Sequence, residues 1–331
     1  MRKKLILFIV GVCLFRGAGP LQAEWSSTNA DCRYRIERSI DAGAKTDTGY
    51  FLLWPNDRAV SNTCLEVFST NGAPVAHRVL WSAEGEPVKV LFDSSRHDAA
   101  YDVYTGPGPV NPTDWTPRAG LVLETRKRQE GDPSNAEAIR RICSASGPVL
   151  GRSLIPNIFL GIHPHGPTAD LVSIIDGFFS VEKPGEYGFA TISEDASCLL
   201  IDGKVVAAWP GWHGCHEGRT GRHQGRVTLS AGLHRIEYFN VKMGGGYIVE
   251  AAWQPPGQDR FEVMPAGIFA PVAAYAVTGF ESAPSKPDAA RFQWEIAGHF
   301  TIDVATLVLV KFKALGEGGR CRWEFDDGIR E

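Results

Sequence analysis

The stretch that decides the fold lies between residues 177 and 257 and opens with GFFSVEKPGEYGFA, residues 177–190. Two apolar runs flank Lys-Pro-Gly, in which proline presets the turn dihedral and glycine accepts the positive φ that follows. The apolar runs at 198–201 and 205–206 flank Asp-Gly, a dipeptide that is typical of a hairpin in this position. Residues 225–239 and 247–254 alternate between apolar and polar side chains, which predicts strands with one buried face that includes Val227, Leu229, Leu233, Ile236 and Tyr238.

The residues before this stretch also favour an all-β fold. Short apolar runs recur about every ten to fifteen residues, which is typical of a β-sandwich. They lie at 32–40, 50–54, 64–69, 77–81, 88–92, 101–105 and 120–125. We therefore predict tandem β-sandwich modules.

One short helix is predicted between the modules. Asp132 would be its N-cap and Pro133 would take the first helical position, followed by good helix formers from Ala136 to Cys143. Sequences typical of linkers follow at 144–148 and again at 282–287. The predicted segments are a signal peptide at 1–23, an N-terminal β-sandwich at 24–146, a central β-sandwich at 147–277 and a partial third module at 278–331.

The N-terminus has the pattern of an export signal. Arg2, Lys3 and Lys4 precede an apolar run from Leu5 to Phe15, and Leu21-Gln22-Ala23 supplies a cleavage site. The run is short for a bilayer span. We expect an extracellular or cell-surface protein with no membrane insertion after signal removal; the alternative is an anchor retained at the N-terminus.

Charge and cysteine content agree with export. The chain has 34 basic and 38 acidic residues, and the expected signal peptide contains four of the basic residues and no acid. An acidic mature chain argues against nucleic acid or an anionic membrane as partner. Six cysteines remain beyond residue 23, and an even number in an exported chain predicts disulfides. Cys198 and Cys215 are the predicted pair because they belong to one strand and its following loop, while the pairing of Cys32, Cys64, Cys143 and Cys321 stays open.

The central stretch resembles the β-sandwich domain named after the anthrax protective antigen, a lectin-like module of secreted bacterial and yeast proteins. The resemblance rests on five motifs that occur in order over roughly a quarter of the chain. They are PGEYGF (184–189), Glu194-Asp195, LIDGK (200–204), LSAGLH (229–234) and WQPP (253–256). The resemblance implies an extracellular module, often a carbohydrate binder, within a larger multidomain protein.

The end of the chain resembles a different module. Residues 321–328, CRWEFDDG, are similar to the Trp-Asp-Phe-Gly-Asp-Gly signature of the polycystic-kidney-disease-type repeat, an immunoglobulin-like domain. Glu324 and Asp326 depart from that signature. Because several strands of such a repeat would follow Glu331, we expect the chain to be a fragment of a longer protein.

The loop at 209–223 is the richest candidate site. Trp209 and Trp212 are suited to covering the C–H face of a sugar ring, and His213 and Arg219 to hydrogen bonding with its hydroxyls. The alternative is that both tryptophans pack on the sandwich. The same loop has four potential zinc ligands (His213, Cys215, His216 and His223), but their spacing matches no strong metal motif, and the pair His163 and His165 has no third ligand nearby in sequence.

Glu194 and Asp195 form a second candidate site. They lie where lectin members of the resembled family carry two consecutive aspartates that ligate calcium through a cis peptide. Calcium requires several oxygen ligands, and adjacent carboxylates on a tight loop supply some of them. Calcium is therefore a candidate cofactor, with Glu194 and Asp195 as ligands and Asp195 also as a sugar contact. The alternative is that Asp195 only accepts hydrogen bonds from loop amides, as aspartates in turns do.

No catalytic site is predicted. The chain has no nucleophile elbow, phosphate-binding loop or zinc-protease motif, and nothing pairs two carboxylates as glycosidases require. The sequence thus predicts a non-enzymatic carbohydrate-binding or adhesion protein whose partner is a glycan or polysaccharide. The alternatives are a structural spacer in a large surface protein and an accessory region of an extracellular glycoside hydrolase.

Overall fold

The computed structural model describes residues 26–27, 30–39, 46–54, 64–83, 85–106, 114–166, 169–215 and 221–282 in full, and 292–302 and 305–314 by their backbone. The predicted signal peptide, Arg219, His216, Cys321 and the motif at 321–328 lie outside the described residues. Among the described residues, no helix is long and apolar enough to cross a membrane.

Nearly all of the regular structure in the described residues is β-strand. The elements in chain order are β1 (Cys32–Arg38), β2 (Thr48–Leu53), β3 (Leu65–Ser69), β4 (Pro74–Val75), β5 (His77–Trp81), β6 (Val88–Asp93), β7 (Ala100–Thr105), β8 (Leu121–Lys127), helix α1 (Ala136–Ala145), β9 (Val149–Ile155), β10 (Phe159–Leu160), β11 (Leu171–Val181), β12 (Gly185–Ser193), β13 (Ala196–Ile201), β14 (Lys204–Trp209), β15 (His223–Leu229), β16 (Gly232–Lys242), β17 (Val249–Gln254), β18 (Glu262–Val263), β19 (Ala273–Ser282), β20 (Phe292–Ile302) and β21 (Ala305–Ala314).

The first compact unit is built on one eight-stranded sheet with the order β4-β3-β7-β1-β19-β2-β6-β5. Strands β7 and β6 are separated by three strands in this order, yet the rings of Tyr101 and Phe92 lie 4.9 Å apart. The sheet therefore curls over on itself and encloses its own core. Phe51, Phe92, Tyr101 and Tyr275 form the aromatic centre of that core.

The central unit is a two-layer sandwich. One layer has the order β14-β13-β16-β11-β8-β9, and the other has the order β10-β17-β12-β15 with β18 beside β17. Inward side chains of both layers form one apolar cluster, to which β11 contributes Leu171, Ile175 and Phe179. Period-two alternation along β11 produces this inward face. The predicted all-β sandwich fold is confirmed.

The boundaries of the units differ from the predicted ones. The chain divides near residues 115 and 272 rather than at 146 and 277. Strand β8 pairs with β11 and β9, so it belongs to the central unit. Strand β19 pairs with β1 and, in parallel, with β2, so it belongs to the first unit. The region predicted as a third module contributes the antiparallel pair β20 and β21.

Helix α1 covers the outer face of the six-stranded layer. Its N-cap is Asn135, whose Oδ1 accepts a 2.9 Å hydrogen bond from the amide of Ala138, so the predicted start at Asp132 and Pro133 is wrong. A side-chain oxygen at this position satisfies an amide that has no partner within the helix. Ile139 and Ile142 pack on outward side chains of the sheet, among them Phe239.

Cys198 also faces this helix, and that orientation explains why the predicted disulfide is absent from the structure. The thiols of Cys198 and Cys215 are not bonded to each other. Cys198 is buried in the cluster beneath α1, its Sγ donates to the carbonyl oxygen of Ala136 at 3.8 Å, and burial raises its pKa to about 12. The loop residue Cys215 is not part of that cluster.

The inward face of β16 differs from the prediction at one position. Leu233 is exposed, while His234, Ile236 and Tyr238 are buried. Even-numbered residues of this strand point inward, so Leu233 has the wrong parity to join Ile236 and Tyr238 in the core. The same parity carries Asn240 and Lys242 inward at the far end of the strand.

Candidate functional site

The acidic loop links the two layers of the central unit. Glu194 and Asp195 connect β12 of one layer to β13 of the other, and the peptide bond between them is cis. The side-chain amide of Asn240 donates to the carbonyl oxygens of Glu194 at 3.4 Å and Ala196 at 3.1 Å. The loop backbone is therefore held by a buried side chain of β16.

Both oxygens of the Asp195 carboxylate accept hydrogen bonds. The backbone amide of His213 lies 3.3 Å from Oδ1, and the backbone amide of Met243 lies 2.9 Å from Oδ2. The same Oδ2 lies 3.4 Å from Nζ of Lys242. Asp195 thus joins three loops, those at 194–195, 210–215 and 243–247.

Lys242 is fully buried and carries its charge between the two acids. Its Nζ lies 3.4 Å from Asp195 Oδ2 and 3.9 Å from Glu194 Oε1. The Glu194 carboxylate lies against the backbone of the loop at 243–247. A Cβ added at Gly245 would be only 2.6 Å from its Oε1, which shows how close the two are. Burying an ammonium group costs free energy unless an opposite charge lies beside it, and these two carboxylates are its partners.

A buried hydroxyl network supports the acidic loop from inside the sandwich. Thr191 Oγ1 donates to Tyr238 Oη at 2.9 Å, and that hydroxyl donates to the carbonyl oxygen of Ile192 at 3.1 Å. Ser193 Oγ donates to Ser197 Oγ at 2.7 Å. Burial raises the pKa of Tyr238 to about 12, so it stays a neutral donor. Polar groups satisfied in this way fix the loop rigidly.

Trp209 lies beneath the surface, where it is only 7 % exposed. The imidazole of His213 stacks parallel to its indole at a centroid distance of 3.8 Å, and that of His223 stacks at 4.2 Å. This aromatic stack fixes the path of the loop that leaves β14. The sequence left open whether Trp209 binds a sugar or packs on the sandwich, and in the structure it is packed.

Trp212 is 39 % exposed, and Met243, which follows Lys242, is 48 % exposed. The guanidinium carbon of Arg128 lies 5.6 Å from the centroid of the Trp212 ring, a cation–π distance. Arg128 also pairs with Asp170 at 2.9 Å, and the amide of Asp170 donates to the carbonyl of Met243. These contacts form a closed ring around the acidic loop. We call the six residues of this ring the loop surface: Arg128, Asp170, Asp195, Trp212, His213 and Met243.

The structure brings three of the predicted site residues to this surface, namely Asp195, Trp212 and His213. Among the described residues, no three His, Cys, Asp or Glu side chains are placed to hold a metal ion. His163 and His165 are used in hydrogen bonds to Thr125 and Ser153, and burial lowers the pKa of His163 to about 4.

Comparison with known proteins gives matches in structure alone. No protein family and no curated protein matches the chain by sequence. A PA14 domain of the antifreeze protein MpAFP matches 49 % of this chain and 97 % of its own, with 18 % identity and a TM-score of 0.39. The PA14 sugar-binding domain of an RTX adhesin matches 47 % of this chain and 99 % of its own, with 17 % identity and a TM-score of 0.39.

A third match is the epithelial adhesin 9 A domain from Candida glabrata in complex with Galβ1-4GlcNAc. It matches 48 % of this chain and 90 % of its own, with 14 % identity and a TM-score of 0.35. In all three cases the matched part is about half of this chain. Likenesses at this level concern the general arrangement of strands and say nothing about individual side chains.

Calcium does not fit the acidic loop as it is built. Calcium takes six to eight oxygen ligands, whereas both Asp195 oxygens accept hydrogen bonds from amides and from Lys242. At an effective dielectric constant of about 20, a divalent ion about 4 Å from the ammonium would be repelled by on the order of 8 kcal/mol. The two acids predicted as calcium ligands therefore have an internal cation as their partner.

Sequence reasoning missed Arg128, Lys242 and Met243. A signal existed for Lys242, because the inward parity of Ile236 and Tyr238 continues through Asn240 to Lys242 and so places a charge at a core position. No local signal marks Arg128, which reaches Trp212 from the end of a distant strand.

Proposed function

We propose that the central unit binds a glycan at the loop surface, as a carbohydrate-binding or adhesion module of an exported protein. The observation that supports this most strongly is the exposed indole of Trp212 held beside a rigid polar loop. Sugar rings present an apolar C–H face and a rim of hydroxyls, so a binding site needs a flat apolar group next to fixed polar groups.

Trp212 would supply the flat group. Its ring is oriented by Arg128, whose side chain is largely buried and is itself fixed by Asp170. A preorganised ring loses little conformational entropy when a ligand binds. Met243 would extend the apolar contact on the other side of Asp195.

The polar contacts would come from groups around the ring. The imidazole of His213 is stacked on Trp209, with its Nε2 3.3 Å from the carbonyl oxygen of Trp209 and its Nδ1 buried, so His213 supports the surface rather than facing the sugar. The predicted polar contact that remains on this loop is Arg219, which lies outside the described residues. Asp195 acts here chiefly as a positioning residue, because its oxygens already hold the loops of Trp212 and Met243. Trp209 supports the surface from below.

Binding by a single unit is expected to be weak, with a dissociation constant of roughly 10⁻³ to 10⁻⁵ M. Each hydroxyl hydrogen bond contributes little once water has been displaced. Repeated units on a surface would raise the overall avidity. A structural spacer or an accessory region of a glycoside hydrolase are the competing functions, and the spacer predicts no glycan signal at all.

The test is a glycan array probed with the purified chain at high density, together with the Trp212→Ala variant. We expect a signal for a restricted set of glycans, and a decrease of about tenfold or more in affinity for the variant, because a central aromatic contact contributes about 1.4 kcal/mol or more.

Trp54→Ala is the matched control, since Trp54 is an exposed tryptophan of the first unit. This control should leave the signal unchanged. No signal from the unmodified chain, or equal signals from all three proteins, would reject the loop surface as a glycan site.

A further inference from the structure

Lys242 occupies the position at which a cation is needed to neutralise the acidic loop. We infer that its ammonium is a built-in cation that takes the place of calcium, so that the loop at Glu194 and Asp195 is ordered without a divalent ion. The inference goes beyond glycan binding and does not require it.

Burial and charge support this role. Lys242 has no exposed surface, and its Nζ is closest to Asp195 Oδ2 at 3.4 Å and Glu194 Oε1 at 3.9 Å. A lysine ammonium in the interior of a protein needs carboxylate partners, and two partly buried carboxylates need a cation. One lysine on β16 meets both needs from within the chain.

The glycine loop after β16 closes the ion pair from outside. The position of a Cβ on Gly245 would be 2.6 Å from Glu194 Oε1 and 3.9 Å from Lys242 Nζ. Its φ of +82° lies in the left-handed region that favours glycine. The main chain at Gly245 therefore covers this side of the ion pair.

Both carboxylate oxygens of Asp195 already accept hydrogen bonds from the protein. Its Oδ1 accepts from the amide of His213 and its Oδ2 from the amide of Met243. Binding of a metal ion would compete with these bonds and with the ammonium at the same time. Loops that calcium would otherwise bring together are joined here by hydrogen bonds to a carboxylate that Lys242 neutralises.

The first arm of the test measures thermal unfolding of the full chain in millimolar calcium chloride and in chelator. We expect the two unfolding temperatures to agree within about 1 °C, because a ligand stabilises a protein only if it binds the folded state. A saturable rise in unfolding temperature with calcium would overturn the inference. This arm needs no variant and is therefore informative whatever the variants do.

The second arm uses Lys242→Met, which keeps the apolar stem and removes the charge. We expect an unfolding temperature about 5–10 °C lower in chelator and a partial recovery in calcium, since the two carboxylates then lack a cation. Lys204→Met, at an exposed lysine of β14, is the matched control and should show neither effect. A Lys242→Met protein as stable as the unmodified chain, or destabilised but indifferent to calcium, would overturn the replacement of calcium by lysine.

Discussion

Asp195→Asn is expected to lower the free energy of unfolding of the central unit by about 3–5 kcal/mol, the range for breaking one side of a buried ion pair. Within the described part of the chain, the partners of the Asp195 side chain are all donors: the amides of His213 and Met243 and the ammonium of Lys242. An asparagine can place its oxygen on only one side, so its NH₂ group must face a donor. The substitution also leaves Lys242 buried beside a neutral partner.

The measurement is urea unfolding followed by hydrogen exchange of peptides from β12 and β13, which report on the central unit alone. Asp170→Asn is the matched control, because the Asp170 carboxylate, which pairs with Arg128, is 51 % exposed, whereas the Asp195 side chain is 11 % exposed. Water screens an ion pair whose carboxylate is half exposed, so the control should cost about 1 kcal/mol or less. Equal effects of the two substitutions would contradict the central role of Asp195.

Gly225→Ala is expected to destabilise the same unit by about 3 kcal/mol, because it introduces a methyl group where the two layers of the sandwich approach each other. A Cβ added at Gly225 on β15 would lie 1.9 Å from the carbonyl oxygen of Val206 on β14. That oxygen belongs to the backbone, so the clash is relieved only if the strands separate. The loss of packing then spreads to the loop between β14 and β15 that carries Trp212.

Gly267→Ala provides the comparison for this variant. Apart from its neighbours along the chain, no described residue has an atom within 4 Å of a Cβ added at Gly267, so its effect should stay within about 0.5 kcal/mol. Unfolding is followed by hydrogen exchange of peptides from β15 and from β13. A Gly225→Ala protein as stable as Gly267→Ala would mean that the layers are farther apart at this point than the structure indicates.

The strands could be predicted from the sequence because their cause is local. A strand with one buried face alternates between apolar and polar residues, and the run at 65–69 follows that rule closely. The Lys-Pro-Gly and Asp-Gly turns have an equally local cause in backbone dihedrals. These features needed no knowledge of distant parts of the chain.

The division into units could not be predicted in this way. Strand β8 joins the central sheet through β11, which begins more than forty residues later, and β19 returns to pair with β1 near the start of the chain. Such pairings depend on which sheet edge is available after collapse. A local marker such as the Ser-Ala-Ser-Gly-Pro run at 144–148 therefore indicated a boundary where none exists.

The candidate site was predictable in part for the same reason. Residue types marked Trp212, His213 and Asp195 as polar or aromatic loop residues, and the structure places them together. Which tryptophan is buried was not predictable, because Trp209 ends a strand and stacks on two histidines while Trp212 lies beyond it. Lys242 points inward because even-numbered residues of β16 do so. This signal is hard to use in advance, because a charged residue is normally expected to face water.

The most direct test of the loop surface is hydrogen–deuterium exchange of the full chain with and without the glycan that gives the strongest array signal. Slower exchange is expected in peptides covering 210–215 and 243–247, because a bound sugar would cover Trp212 and Met243 and restrict both loops. Peptides at 48–54, which include the exposed Trp54 of the first unit, should exchange at the same rate in both samples. Protection confined to other parts of the chain, or none at saturating glycan, would contradict binding at this surface.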